Sequence, residues 1–435
     1  MKKLIIAAIL AASSTTMFAQ GGTNSPYSMY GFGTLAEQTS GFNRGMDGLA
    51  LGFREHNQIN YLNPASYSNL DSLTFIFDAG VSFHKTNYSE GGRKVNRNNA
   101  SFEYVVAAFR LAKRVGFSFG LIPYSNVGYS FTGKGNVNDH TSTIGPSTTY
   151  TNTYSGDGGL RQVYIGAGWE PVKGLSVGAN VSYLWGKINR SITNSYSESY
   201  VNTLSKRYIS EVTSFKFDFG LQYEARLGGN NRVTLGLIYG LGHKLGSDPK
   251  CIVTSTNSQT SVAHSDTLMI ENGLSIPHSF GGGLVWNHKN RLKLGFDYQV
   301  QKWSKLDTPV LTYQNEKPTY HLVNGLYKDR QKMTFGGDYC ANERSHSFFG
   351  RMHYRAGFSY ATPYIKVNDQ NGPKEFSVSA GVGIPIVNSY NNRSMLNISA
   401  QWTNRSASGL IKENSFRINV GLTFNERWFA KFKVD

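Results

Sequence analysis

Ser214-Phe215-Lys216-Phe217-Asp218-Phe219-Gly220-Leu221-Gln222-Tyr223-Glu224 decides the fold. Phe215, Phe217, Phe219, Leu221 and Tyr223 alternate with Lys216, Asp218, Gly220, Gln222 and Glu224, so a strand here carries its apolar side chains on one face and its charges on the other. Leu227-Gly228-Gly229-Asn230-Asn231 turns the chain tightly, and it returns as Val233, Leu235, Leu237, Tyr239 and Leu241, interleaved with Thr234, Gly236, Ile238, Gly240 and Gly242. Soluble sandwiches rarely carry five consecutive large apolar side chains on one face of strands this long. A wall between lipid and water requires that pattern, because in hydrocarbon only a closed barrel satisfies the backbone of a sheet. The reading is an all-β protein, a transmembrane antiparallel barrel.

Composition agrees. Hydrophobic residues make up only 39% of the 435, yet Tyr and Phe number 26 each and Gly 47. That profile suits aromatic girdles and tight turns, with apolar residues needed only at alternate positions. Outward from the template, Leu73 to Phe83, Ser101 to Leu111, and Val115 to Pro123 give the first three strands. Arg161 to Trp169 and Leu175 to Lys187 follow, then the template hairpin, then His278 to Trp286 and Leu292 to Gln301. Gln331 to Tyr339, Met352 to Tyr360, Phe376 to Ile384, Leu396 to Trp402 and Phe416 to Phe424 bring the total to about fourteen, each near the ~9–11 residues that cross a bilayer at a tilt. Ser101 to Leu111 alternates poorly, and only its position is predicted. Connections after even strands are mostly short, and those after odd strands mostly long and polar, as in Thr132 to Gly159, Ser191 to Thr213, Leu245 to Pro277 and Ser304 to Arg330. Periplasmic turns and extracellular loops of outer-membrane barrels differ in this way, and an even count returns both termini to the periplasm.

The N-terminus supplies an address. Lys2-Lys3, the apolar run Leu4 to Ala12 and the small residues to Ala19 read as a signal peptide over 1–19, with cleavage near Ala19-Gln20. Residues 20–71 lack a strand pattern and are rich in Gly, Ser and Asn. They are expected to fold inside or beneath the barrel as a hatch or plug, with Asn63-Pro64-Ala65 turning the chain into the wall. The barrel is assigned to 72–425 and a periplasmic tail to 426–435, where Asn425-Glu426-Arg427-Trp428-Phe429 meets the interface. The formal charge of +16 includes Lys2 and Lys3, which leave with the signal. In a secreted chain nucleic acid is a poor partner for it; anionic lipid head groups or an acidic partner fit, as does a basic surface with no particular partner. Cys251 and Cys340 fall in a long loop and a short turn at opposite ends of a wall ~25 Å tall, so they are not expected to pair.

Asn63-Pro64-Ala65 after a glycine-rich leader, Gly116 to Pro123 with Tyr124, Pro277 opening a strand, Asp297-Tyr298 with Trp303-Ser304, and Arg355-Ala356-Gly357-Phe358-Ser359-Tyr360 together resemble the FadL family of outer-membrane transport proteins. The resemblance spans nearly the whole mature chain. It implies a fourteen-stranded barrel with an N-terminal hatch in its lumen, carrying long-chain fatty acids or other hydrophobic molecules inward and releasing them where the third strand kinks, here Pro123 and Tyr124. A proline lacks the donor a ladder needs; a gap in the wall and a strand ending near the rim are both consistent with it. The Ser25-Pro26-Tyr27-Ser28-Met29-Tyr30-Gly31 leader and the Asn-Glu-Arg-Trp-Phe tail depart from fatty-acid transporters. They look more like a branch that includes PorV, a shuttle of the type IX secretion pathway, and barrel subunits of outer-membrane assembly machines. The alternative role is therefore docking of other envelope or secreted proteins.

Chemistry is sparse. Gly116-Phe117-Ser118-Phe119-Gly120 and Gly174-Leu175-Ser176-Val177-Gly178 match a nucleophile elbow, but both lie early in strands after short turns, where no strand-to-helix turn is expected. The ten histidines form no His-x-x-x-His grouping, and neither a metal, a cofactor nor an enzyme activity is expected. The charges on inward faces are Asp78, Lys216, Asp218, Glu224, Lys293, Asp297, Lys332, Asp338, Arg355 and Arg417, of both signs. They suit cross-lumen pairs or contacts to the hatch; Arg355 or Arg417 could also receive a ligand carboxylate.

Overall fold

A computed structural model describes residues 22–136, 148–315, 317–386 and 394–426. The predicted signal peptide, Arg427-Trp428-Phe429 and the rest of the tail lie outside the described residues.

Fourteen antiparallel strands form the wall. They are β1 (Phe75–Glu90), β2 (Arg93–Ala112), β3 (Val115–Asn136), β4 (Thr149–Val172), β5 (Leu175–Tyr196), β6 (Thr203–Arg226), β7 (Asn231–Gly240), β8 (Ser279–His288), β9 (Leu292–Gln301), β10 (Arg330–Cys340), β11 (His353–Ala361), β12 (Lys374–Ile386), β13 (Ser394–Ser406) and β14 (Lys412–Glu426). Each pairs with the next, and β1 closes the cylinder on β14 from Phe75 opposite Glu426 to Ser89 opposite Lys412. Phe77, Phe83, Ile165, Phe215, Phe219, Leu235, Leu237, Leu284, Phe296, Phe335, Phe358, Trp402 and Ile418 are exposed on the outer face. A belt of that size has no soluble explanation and is what acyl chains require. Inside, Asp78, Ser118, Ser176, Gln222, Asp297, Asp338, Ser379, Asn419 and Thr423 are buried.

Strand length divides the wall. β2 to β6 run to 20–24 residues, whereas β7 to β11 have 9–11. Of the loops expected over 132–159 and 191–213, residues 132–136, 149–159, 191–196 and 203–213 are therefore strand, 137–147 lying outside the described residues, and the β4–β5 ladder continues to Tyr150 opposite Tyr196. Beyond the lipid both faces of a strand are wet, so its alternation disappears from the sequence although its hydrogen bonds persist. The β1–β2 connection is only Gly91-Gly92, with φ of 53° and 81° that favour glycine. Over the low strands the long connections fold into hairpins, 250–256 with 263–269 and 308–314 with 317–323. The first of these adds to the upper half of β6, Lys250 opposite Ile209 to Thr256 opposite Thr203. Cys251 lies in that hairpin, and Cys340 ends β10 rather than lying in a turn; both are buried and free.

Register shifts beside the short turns, at Leu111 and at Glu170-Pro171, are joined by two bulges in mid-strand. Glu103 is the extra residue of β2 opposite Gly80 and Val81, and Tyr124 is the extra residue of β3 opposite Arg161 and Leu160. The first explains the poor alternation of Ser101 to Leu111: two successive residues, Glu103 and Tyr104, both turn inward and are buried.

Candidate functional site

The site is the lumen together with a split in its wall. β2 and β3 are paired from Ala112 opposite Val115 only as far as Val105 opposite Leu121. Above that level β2 pairs with β1, and of the wall strands β3 pairs with β4 alone. A slot thus opens between the two strands where the sequence places Pro123 and Tyr124.

The leader occupies the lumen and the slot. Thr34-Leu35 form a short antiparallel ladder with Asn126-Ser125, on the edge of β3 that β2 has left. Ala36 N donates to Tyr124 O at 3.0 Å, and Gln38 Nε2 to Pro123 O at 2.7 Å. Ser28 Oγ accepts from Gly128 N at 3.2 Å, while its single proton has Ser25 O at 2.7 Å as the nearer acceptor and Gly128 O at 3.2 Å as the farther. On the β2 side, Asn24 Nδ2 donates to Asn99 Oδ1 at 2.7 Å and Ser101 Oγ to Gly22 O at 3.2 Å. Phe32 then packs on Trp303, ring centroids 5.6 Å apart, beneath a roof that includes Tyr327, Tyr364 and Ile365. This apolar core leans on Tyr129, Leu160, Leu184, Ile188 and Val212 of the tall strands.

Deeper in, charges fix the leader. Arg44 meets Glu103 at 2.9 Å, Glu55 meets Lys293 at 2.6 Å and Glu37 meets Lys332 at 3.4 Å. Asp297 accepts from Ala50 N and Leu51 N at 2.7 and 2.9 Å, and Asp47 accepts from Ser377 and Gln401. The leader's partners Arg44 and Glu103 are the residues that sequence reasoning missed; the broken alternation around Glu103 was their available signal. Glycines on the inner wall permit the close fit: a Cβ on Gly236 would collide with Leu51, on Gly357 with Met46, and on Gly178 with Pro64. Asn63 caps the short helix over Pro64–Asn69, accepting from Ala65 N at 3.2 Å and donating to Leu51 O at 2.9 Å.

The other expected residues fall in two groups. Arg355 is committed to Asp338 at 2.8 Å and Asn397 at 2.6 Å, with its guanidinium 4.4 Å from the Phe42 ring centroid. Arg417 lines an internal cavity of about 200 Å³ with Glu37, His84, Glu103, Lys216, Asp218, Lys332, Glu375, Arg405 and Glu413. Ser118 donates to Ala107 O and bonds Tyr164 Oη, while Ser176 bonds Ser68; neither lies at a strand-to-helix turn. At the short-turn rim His56 bonds Asp71 at 2.8 Å, and this hydrogen bond raises the imidazole pKa above its ordinary value.

The overall fold of the closed fourteen-stranded barrel is shared with solved structures. The toluene transporter TbuX of Ralstonia pickettii superposes with a TM-score of 0.60 at 15% identity, covering 89% of this chain and 98% of that one. The toluene transporter TodX of Pseudomonas putida gives 0.58 at 16%, over 91% and 99%. A FadL homologue of Pseudomonas aeruginosa gives 0.58 at 13%, over 90% and 98%. At such identities the likeness is one of fold. No curated protein matches the sequence. The family model described as BamG matches residues 1–435, and the chain belongs to the BamG family.

Proposed function

We propose that this protein is an outer-membrane barrel that docks other envelope or secreted proteins, with the short-turn rim and both termini facing the periplasm. It is the kind of role that a resemblance of the leader and tail to PorV would imply. The observation that carries it is the state of the lumen. The leader is held there by buried ion pairs, and the cavity beside it at mid-height, about 200 Å³, mixes charges of both signs with apolar residues such as Leu35, Ile122, Ile238 and Leu241. The buried charges in that lining would have to be desolvated by a wholly hydrophobic cargo, whereas a rigid cylinder filled by its own leader makes a stable platform. A signal peptide over 1–19 fits export to that membrane, and the outward apolar belt fits residence among its lipids. Co-purification of a partner at fixed stoichiometry after gentle solubilisation is the expected result. A lone monodisperse barrel, from cells that lose growth on a hydrophobic nutrient without losing any surface protein when the gene is deleted, would overturn it.

A second reading is passive uptake of hydrophobic molecules, long-chain fatty acids or hydrocarbons, with the leader as a movable hatch and exit beside Pro123 and Tyr124. The β2–β3 split favours it, since it lies where the FadL resemblance implies an exit. Arg417 on the cavity wall is the available partner for a carboxylate; Arg355 is already spent on Asp338. Uptake of labelled dodecanoate into proteoliposomes, abolished by a disulfide between Thr34→Cys and Asn126→Cys, would support this reading.

A further inference from the structure

The two edges of the slot are specified by backbone hydrogen bonds. From Pro123 to Gly128 the edge of β3 that β2 has left offers the carbonyls of Pro123 and Tyr124, the ladder positions of Ser125 and Asn126, and the amide of Gly128. The leader answers each, twice with its own ladder residues and elsewhere with the Ala36 amide, the Gln38 amide side chain and the Ser28 hydroxyl. Around the slot the cavity wall carries the polar side chains of His84, Thr86, Ser101, Glu103 and Asn126 beside Tyr88, Ile122 and Tyr124. An acyl chain or an aromatic hydrocarbon replacing the leader would strand these groups without partners. A peptide backbone would satisfy them, as in strand addition at any open sheet edge.

We propose that the slot between β2 and β3 is a receptor for an extended polypeptide segment of a partner protein, which pairs with the edge of β3 from Pro123 to Gly128 in place of leader residues 28–38. The leader is then an internal surrogate strand, protecting the edge until a partner segment competes for it. Gly33 shows how close the surrogate lies: its φ is +86°, and a Cβ there would strike Val127 and the backbone of Asn126. This inference rests on the docking reading and names its chemistry.

The probe is a synthetic peptide of residues 22–38, added to the full-length protein in lipid nanodiscs. Bimane on Asn24→Cys and a quencher at Asn99→Trp report the leader, since those two side chains touch in the closed slot; Cys251 and Cys340 are buried and stay unlabelled. In an Ala36→Pro background, which removes the donor to Tyr124 O, the peptide should relieve quenching saturably. The same peptide N-methylated at the positions of Thr34 and Ala36 should need at least tenfold more, and dodecanoate or toluene should leave the signal unchanged. If Ala36→Pro does not fold, Gln38→Leu, which removes the donor to Pro123 O, serves as the weakened background with the same expectations. Equal potency of the N-methylated peptide, no release by peptide in either background, or release by dodecanoate or toluene would overturn the proposal. Co-purification of a partner tests the docking reading separately, so the two can fail independently.

Discussion

The tall flank, β2 to β6, and the low flank, β7 to β11, solve the same membrane problem and differ only outside it. Ten residues suffice for β7, β8 and β9, so the further ten or more on the tall side are built for something other than crossing lipid. Their upper inner face carries Leu160, Leu184, Ile188 and Val212, and the connections of the low side bend over to bury it with Trp303, Tyr327 and Tyr364. One flank supplies a wall and the other a roof. The leader is clamped between them, through Glu103 on the tall side and Lys293 on the low side.

That division can be broken by substitution. Arg44→Met leaves Glu103 buried and unpaired, and should cost about 3–5 kcal/mol in guanidinium unfolding from detergent micelles. Lys293→Met should cost less, because Glu55 lies closer to water than Glu103. Equal losses would mean that the leader leans on both flanks alike. Trp303→Ala removes the centre of the roof and should cost up to about 3–5 kcal/mol, while the heat-modifiable gel shift of the folded barrel survives; loss of that shift would show that the roof holds up the wall. Gly236→Val, on the low flank against Leu51, should cost about 1–3 kcal/mol by overpacking. Gly133→Val, in open space on the tall flank, should fall within about 0.5 kcal/mol of the parent. The smallest effect is at the short-turn rim. The hydrogen bond to Asp71 raises the His56 pKa, so its stabilisation is complete below the ordinary histidine pKa of about 6.5 and fades as pH rises through the raised value. His56→Gln should lower the melting midpoint slightly at pH 6 and not at pH 9.

The low flank was legible in the sequence and the tall flank only in its lower half. Phe215, Phe219, Leu235 and Leu237 announce lipid because each faces it, and the strand count follows from repeats of that signal. Residues 85–99, 149–159 and 191–211 carry no such signal, since no lipid touches that part of the sheet. The inward charges were legible as a set, but their partners were not: Arg44 and Glu55 sit in a leader without periodicity, so their depth in the lumen cannot be counted from the sequence. Arg355 was read as a candidate for ligand or structure, and the geometry assigns it to Asp338, Asn397 and the face of Phe42.

The two bulged residues, Glu103 and Tyr124, flank the last β2–β3 pair, Val105 with Leu121. Beyond that point the cylinder is mechanically two flaps, β14-β1-β2 and β3-β4-β5-β6. The leader bridges them there, through Asn24 with Asn99 on one edge and Thr34-Leu35 with Asn126-Ser125 on the other, so the seam of the upper rim is closed by a segment from outside the wall.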